Sequence, residues 1–440
     1  MFPDAGSRRY AIAFSGGMDS TSLLAATSRL AHAGFGAALR AIHVDHGLHP
    51  ESARWARQAR QRARALGVEC VVIAVDGRPP AGHSREAAAR DARYAGLAAV
   101  MQDGEILLTA QHLDDQAETV LLQLLRGGGP AGFGAMPDVR AFGPGWLARP
   151  LLSTPRATLK AWAEAAGMSW FEDPSNQDLS LDRVHVRQVL LPGLYGRWPG
   201  ARQTLARAAG HAREAAKLLD DLAAIDRAGT SAGDWIEIAP LAELGGSRAR
   251  NAIRGWLRSQ DMPMPSAVRL RRIANELVSG RVGGQGEVLW TGGGVRRWRG
   301  RLFAVGPLSP PPAGFLSWDT GKGPLSLPGE LGTLSVRPEP GGLDEALFSL
   351  PVSVGWRSGG ERLRLRAGGP SRTLKNLFRE AGIRPWMRGR IPLIYSGKCL
   401  IAAGDLFVAA GNTGGNASGL AVSWTAHPPI DGGWRKPGNL

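Results

Sequence analysis

The stretch Ser15-Gly16-Gly17-Met18-Asp19-Ser20 puts two hydroxyls, two adjacent glycines and a carboxylate within six residues. That mixture suits a polyphosphate. Glycine backbone can approach an anion closely, and free N–H groups at a helix start point toward it. The stretch holds no lysine and fits neither G-x-x-x-x-G-K-[ST] nor G-x-G-x-x-G. It is therefore a third kind of phosphate loop, with Ser15, Gly16, Gly17, Met18, Asp19 and Ser20 as its nucleotide-contacting residues.

A second set of chemical residues is Asp114, Asp115 and Glu118 in Leu113-Asp114-Asp115-Gln116-Ala117-Glu118-Thr119. Residues 115 and 118 share one helix face, and Asp114 is expected at the cap position. Acids in a first helical turn serve as caps and dipole partners. The alternative is a carboxylate cluster that binds Mg²⁺ or a cationic amine. Asp45 and His46 form a third, weaker set, raised above an ordinary turn only by their position after a strand. Arg126 precedes a glycine run and is a candidate phosphate contact or a helix-end arginine favoured by the dipole.

These residues need elements to hold them in place. Arg9–Ala13 is a short apolar run that predicts a buried parallel strand, and Thr21–Ala26 opens a helix. Further strands are expected at 39–44, 69–75 and 106–110. Helices are expected from His49-Pro50-Glu51-Ser52 to Leu66, from Ser84 to about Gln102, and over Asp114–Leu125. The alternation predicts an α/β fold with a doubly wound parallel sheet, whose site lies past the carboxyl ends of the strands. The glycine loop and the turns 44–47 and 111–114 all fall on that edge. Gly127–Gly134 reads as a flexible loop or lid. Ser153-Thr154-Pro155 reads as an N-cap followed by proline at N1.

Beyond this region, residues 199–227 form a long Ala/Arg-rich helix. Residues 235–301 read as a small helical unit followed by strands, and 309–314 as a connector. From Leu316 the pattern is short strands and turns with one helix near Leu374–Ala381; residues 431–440 are expected to fray. The resulting division is a catalytic domain over 1–198, a helical linker and middle domain over 199–308, and a C-terminal α+β, mostly β domain over 316–430.

The chain has 440 residues, 43% of them hydrophobic, and a formal charge of +15. Such a charge fits either a generally arginine-rich composition or a polyanionic partner such as nucleic acid. No apolar run approaches the roughly 20 residues of a membrane span, and Asp4, Arg8 and Arg9 interrupt any signal-like segment, so a cytoplasmic protein is expected. Cys70 and Cys399 are the only cysteines. They exclude a disulfide scaffold and a cysteine-held cluster.

The loop SGGMDS at 15–20 resembles that of the pyrophosphatase-loop (PP-loop) ATP enzymes, which split ATP between the α and β phosphates and pass AMP to an oxygen. In that reading backbone amides and the hydroxyls of Ser15, Ser20 and Thr21 hold the leaving pyrophosphate, and Asp19 helps place Mg²⁺. With VDHGL at 44–48, AARDARY at 88–94, HLDDQAETVLLQLLRG at 112–127, RPLL at 149–152, EDPSN at 172–176 and TLKNLFREAGIRPWMRGRIPLI at 373–394, the chain resembles the tRNA(Ile)-lysidine synthetases.

The resemblance implies a ligase. ATP adenylates C2 of the wobble cytidine (position 34) in a CAU anticodon, free L-lysine attacks that carbon, and AMP leaves. On this reading Asp19, Asp45, Asp115 and Glu118 are catalytic and Asp19 with Asp114 holds the metal. Asp115 and Glu118 bind lysine, and Arg126 joins the loop in binding ATP. Asn176, Arg183, Arg187, Lys375 and Arg379 contact tRNA, and the middle (199–308) and C-terminal (316–430) domains are tRNA-binding. A homodimer stays open.

Two departures stand out. The family commonly has paired histidines where this chain has Gln111-His112, and an Arg-Asn pair where it has Arg183-Val184, so roles of the first histidine and of that asparagine do not carry over. Rival readings are a tRNA thiolase, a glutamine-dependent amide synthetase, and a non-catalytic RNA-binding relative. The cysteine count opposes the cluster-bearing thiolases, and no glutaminase segment is visible.

Overall fold

The computed structural model describes residues 9–35, 38–47, 51–78, 85–172, 177–280, 286–410 and 419–427. They form two compact units, Met1–Leu218 and Leu219–Leu440. The predicted starts of two helices, His49-Pro50 and Ser84, lie outside the described residues, as do Asp173–Asn176 and 431–440.

The first unit is built on a six-stranded sheet in the order β3-β2-β1-β4-β6-β5. Its strands are β1 (Arg9–Ala13), β2 (Ala38–Asp45), β3 (Glu69–Ala74), β4 (Ile106–Leu108), β5 (Val139–Phe142) and β6 (Gly145–Ala148). β1 runs parallel to β2 and β4, β2 to β3, and β4 to β6; only the edge pair β5/β6 is antiparallel. Ala11, Ile12, Ala41, Ile42, Leu107 and Leu147 are fully buried. Continuous apolar strands of this kind need helices on both faces. Those helices include α1 (Met18–Leu30), α2 (Ser52–Ala65), α3 (Arg85–Val100) and α4 (Leu113–Leu125).

Two sequence expectations change here. Residues 127–134 are not a loose loop: α5 (Pro130–Phe133) is a short helix with proline at its start, and Arg213 Nη1 donates to the carbonyls of Gly134 (2.6 Å) and Met136 (3.2 Å). α6 (Arg156–Ala165) has Pro155 itself at the cap position. The acceptor for its first N–H comes from afar, Asp114 Oδ2 at 2.8 Å from Arg156 N. After α7 (Asp182–His185), a π-helical turn (Val186–Leu190) and α8 (Leu191–Arg197), the long helix α9 (Ala201–Arg227) appears where the sequence places it.

The second unit holds two hydrophobic clusters, one drawn from Ile236 to Ala304 and one from Trp318 to Trp424. The first packs α10 (Ile238–Glu243), α11 (Gly246–Ser259) and α12 (Ala267–Arg272) against an antiparallel sheet. That sheet contains β7 (Ser231–Ala232), β8 (Trp235–Glu237), β9 (Gly286–Trp290), β10 (Gly293–Trp298) and β11 (Arg301–Val305). The second cluster lies among short antiparallel strands between Leu316 and Thr425, with α13 (Leu374–Glu380) as their α-helix among the described residues. No helix among the described residues is long and apolar enough to cross a membrane.

Candidate active site

The glycine loop leaves the carboxyl end of β1 and enters α1, as the strand–turn–helix pattern requires. Gly16 has φ +83°, a left-handed conformation that side-chain-bearing residues rarely adopt. Its carbonyl is pinned by three donors: Phe171 N at 2.9 Å, Arg62 Nη1 at 3.2 Å and Thr21 Oγ1 at 3.4 Å. Gly17 is the N-cap of α1, and no side chain caps that helix. Its first-turn N–H groups are therefore left for an anion. Ser15 Oγ and Ser20 Oγ lie 3.0 Å apart, and Ser20 also donates to Gly17 O at 3.0 Å.

Asp19 begins the same helix and meets α4. Its Oδ1 is buried, faces Arg156 Nε at 3.4 Å and His112 Nε2 at 3.6 Å, and accepts a directed hydrogen bond from neither. His112, 1% exposed, is the N-cap of α4, so the cap falls two residues before Asp114, where the sequence puts it. Asp115 N donates to His112 Nδ1 at 3.3 Å, and His112 N donates to Asp115 Oδ2 at 3.1 Å. This reciprocal box frees Asp114 to leave the helix start. Its carboxylate bonds Arg202 Nε through Oδ1 and the Arg156 backbone through Oδ2.

One turn further along α4 the acids meet cations from 65 to 72 residues away. Arg183 donates to Glu118 Oε2 (2.9 Å) and Asp115 Oδ1 (3.1 Å). Arg187 donates to Glu118 Oε1 (2.6 Å) and Oε2 (2.9 Å) and to Asp115 Oδ1 (3.2 Å). Glu118 has no exposed surface. Burial pushes the Asp115 carboxyl up, but His112, Arg183 and Arg187 outweigh it and hold it below the usual carboxylate range. Both arginines are desolvated, yet the acids raise their proton affinity further. Such a buried network holds its geometry because each carboxylate oxygen it covers accepts from at least one donor.

Beside this network is a cavity of about 520 Å³ lined by residues including Asp114, Glu118, Arg156, Arg187, Tyr195 and Arg202. The Arg202 guanidinium lies 3.6 Å from the centre of the Tyr195 ring. Burial, aided by Asp114, pushes the Tyr195 hydroxyl up to about 12. The wall thus offers fixed positive charge and a phenol that keeps its proton.

Of the residues picked from sequence, the structure brings Asp19 of the loop to the start of α4 beside His112 and joins Asp115 and Glu118 to Arg183 and Arg187, whereas Asp114 pairs with Arg202. It does not bring Arg126 to the loop. Arg126 is the C-cap of α4, about 20 Å from the helix start at 1.5 Å per residue, and pairs with Asp182 at 3.1 Å. Asp45 Oδ1 accepts from Gly47 N at 2.9 Å, which gives it a turn role at the sheet edge. Asn176 lies outside the described residues. Lys375 and Arg379 are exposed on α13. Sequence reasoning missed Arg62, Arg156, Tyr195 and Arg202, and it gave His112 no role. Only His112 carried a local signal, its place three residues ahead of Asp115.

A parallel sheet with a glycine turn at β1, an uncapped helix behind it and an aspartate facing a second helix start defines a PP-loop nucleotide enzyme. The family model described as PP-loop domain matches residues 1–194. The models described as TilS substrate binding domain and TilS substrate C-terminal domain match residues 237–303 and 352–424. The chain is 42% identical over 422 residues to tRNA(Ile)-lysidine synthase of Alkalilimnicola ehrlichii, covering 95% of this chain and 92% of that one. It is 41% identical to that of Methylococcus capsulatus, covering 94% and 96%, and 40% identical to that of Pseudomonas aeruginosa, covering 96% and 94%. The chain belongs to the tRNA(Ile)-lysidine synthase family.

Proposed function

We propose that this enzyme joins free L-lysine to C2 of the wobble cytidine of a CAU-anticodon tRNA(Ile), consuming ATP and releasing AMP and pyrophosphate. The observation that carries the reading is the junction of the open α1 start with Asp19, next to the buried acid–arginine network. The α1 start receives the departing pyrophosphate on backbone N–H groups and the hydroxyls of Ser15 and Ser20, which stabilises charge as it develops. The 520 Å³ cavity, with Arg156 and Arg202 on its wall, suits the phosphates flanking the target nucleotide.

Mg²⁺ fits one acid here. Oδ1 of Asp19 is buried with no hydrogen-bond donor, whereas both oxygens of Asp114 are engaged. Among the described residues no group of three or more His, Cys, Asp or Glu could form a protein cage. That agrees with an ion bound by one carboxylate, waters and nucleotide phosphates. When bound it would neutralise phosphate charge, and Asp19 would orient it.

Asp115 and Glu118 are the proposed pole for the lysine cation, and Arg183 and Arg187 the proposed contacts to RNA phosphate. Because the four side chains hold one another, both roles require the same exchange: the arginines turn to phosphate as the amine takes their place. Lysine should then bind well only after tRNA. The three-domain division, a cytoplasmic location and a homodimer belong to the same reading.

AMP release from ATP tests the reaction. It should require both tRNA and lysine, with lysidine recovered in the nucleoside digest of the product. Release of ADP, or of AMP without tRNA, would overturn it. Sedimentation tests the dimer.

A further inference from the structure

A cavity of about 580 Å³ lies in the second unit. Three segments distant in sequence wall it. β9 and β10 give Glu287, Arg296 and Arg297, the 309–314 connector gives Pro311, and the stretch after α13 gives Trp386 and Arg390. The volume falls within the range of small-molecule sites.

The charges on this wall do not balance. Arg297 and Arg390 are 8% and 5% exposed. Their described acceptors are main-chain carbonyls: Leu277 and Gly280 for Arg297, Ser309 for Arg390. Arg296 Nε lies 2.9 Å from Glu287, the one carboxylate among the lining residues, but without hydrogen-bond alignment. Nε of Arg390 and Nε1 of Trp386 are buried with no acceptor. Burial weakens Arg390's hold on its proton, opposed only by Glu330. Three guanidiniums thus face one carboxylate, and buried cations without a counter-charge are unfavourable. The rest of the wall is mostly apolar, with Leu308, three prolines and the Trp386 ring. The Arg296 guanidinium lies 5.4 Å from the Trp386 ring centre.

We propose that this cavity binds a nucleotide phosphate, with the oxyanion on Arg296, Arg297 and Arg390 and the attached nucleoside against Trp386 and the prolines. Guanidinium forks match phosphate oxygens, and an aromatic face suits any base. The phosphate comes either from a free mononucleotide or from the backbone of bound tRNA. A bound nucleotide would tie β9–β10 to the segment after α13. The proposed reaction gives this cavity no task.

The test uses the full chain, with Arg390→Met and Arg296→Gln as variants. Arg296 is partly exposed, so its variant decides if Arg390→Met fails to fold. AMP is the probe in equilibrium dialysis; unmodified tRNA is the probe in filter binding at several salt concentrations. If the phosphate is free, wild type binds a second AMP that the variants lose. If it belongs to RNA, tRNA affinity falls roughly five- to tenfold and the slope of log K against log salt shrinks by about one. Unchanged AMP stoichiometry together with unchanged tRNA affinity and slope in a folded variant overturns the proposal. Failure of the lysidine reading would appear separately, as wild-type protein that releases no tRNA-dependent AMP.

Discussion

Arg187 closes a two-pronged fork on Glu118, Nε to Oε1 at 2.6 Å and Nη2 to Oε2 at 2.9 Å, around a carboxylate that solvent does not reach. Removing one partner of a buried pair leaves the other charge uncompensated, at a cost of about 3–5 kcal/mol. Arg183 still bonds Glu118 in an Arg187→Met variant, so only part of that cost is expected, a fall of roughly 5 °C in the melting temperature of the first unit. Glu118→Gln keeps the shape but leaves Arg183 and Arg187 to share the single carboxylate of Asp115, and should destabilise by a similar amount. It should also raise the lysine requirement more than the ATP requirement. Equal changes in both requirements would remove Glu118 from the amine pole.

Asp19→Asn should keep the fold, because Oδ1 makes no hydrogen bond that the amide would lose. AMP formation should fall about 10²-fold or more, the scale of losing a group that orients charge in the transition state, with tRNA affinity unchanged. Quench-flow detection of pyrophosphate checks the first and filter binding the second.

Acid should weaken the first unit. His43 is buried with Nδ1 2.8 Å from Phe14 O, and burial depresses its proton affinity; burial and then Arg93 do the same for His46. A depressed imidazole binds fewer protons folded than unfolded. Stability is therefore full above the unfolded value of roughly 6.5 and is lost as pH falls below it toward the folded value. Melting temperature should drop between pH 7 and pH 5, and His43→Gln should flatten that drop. A melting curve as steep in the variant as in wild type would exclude His43 as a cause.

Lys375 and Arg379 stand exposed on α13. If each meets a tRNA phosphate, the double alanine variant should weaken tRNA binding at all sequences alike. The slope of log K against log salt should shrink by about two. Titrations at four salt concentrations resolve a change of that size.

The sheet, the glycine loop and α4 are legible in the sequence because each is set locally, by an apolar run, a glycine turn or a helical period. The β5–β6 hairpin is not. Its four-residue strands carry no alternation long enough to read, and pairing of β6 with β4 is what orders them. The sequence points to Asp114 as the cap of α4 because aspartate is the better cap in isolation. The choice falls to Arg202 and the Arg156 backbone, which draw Asp114 away. The pairing of Asp115 and Glu118 with Arg183 and Arg187 spans more than sixty residues and leaves no trace in spacing.

The reciprocal box at the start of α4 fixes more than a helix end. With Asp115 N donating to Nδ1 of His112, the ring nitrogen lone pair on that side is already committed to the backbone. In the neutral ring the hydrogen then resides on Nε2, on the side of Asp19. While the first turn stays wound, this histidine presents a hydrogen-bond donor toward Asp19 but has no vacant nitrogen with which to take a proton from an incoming amine.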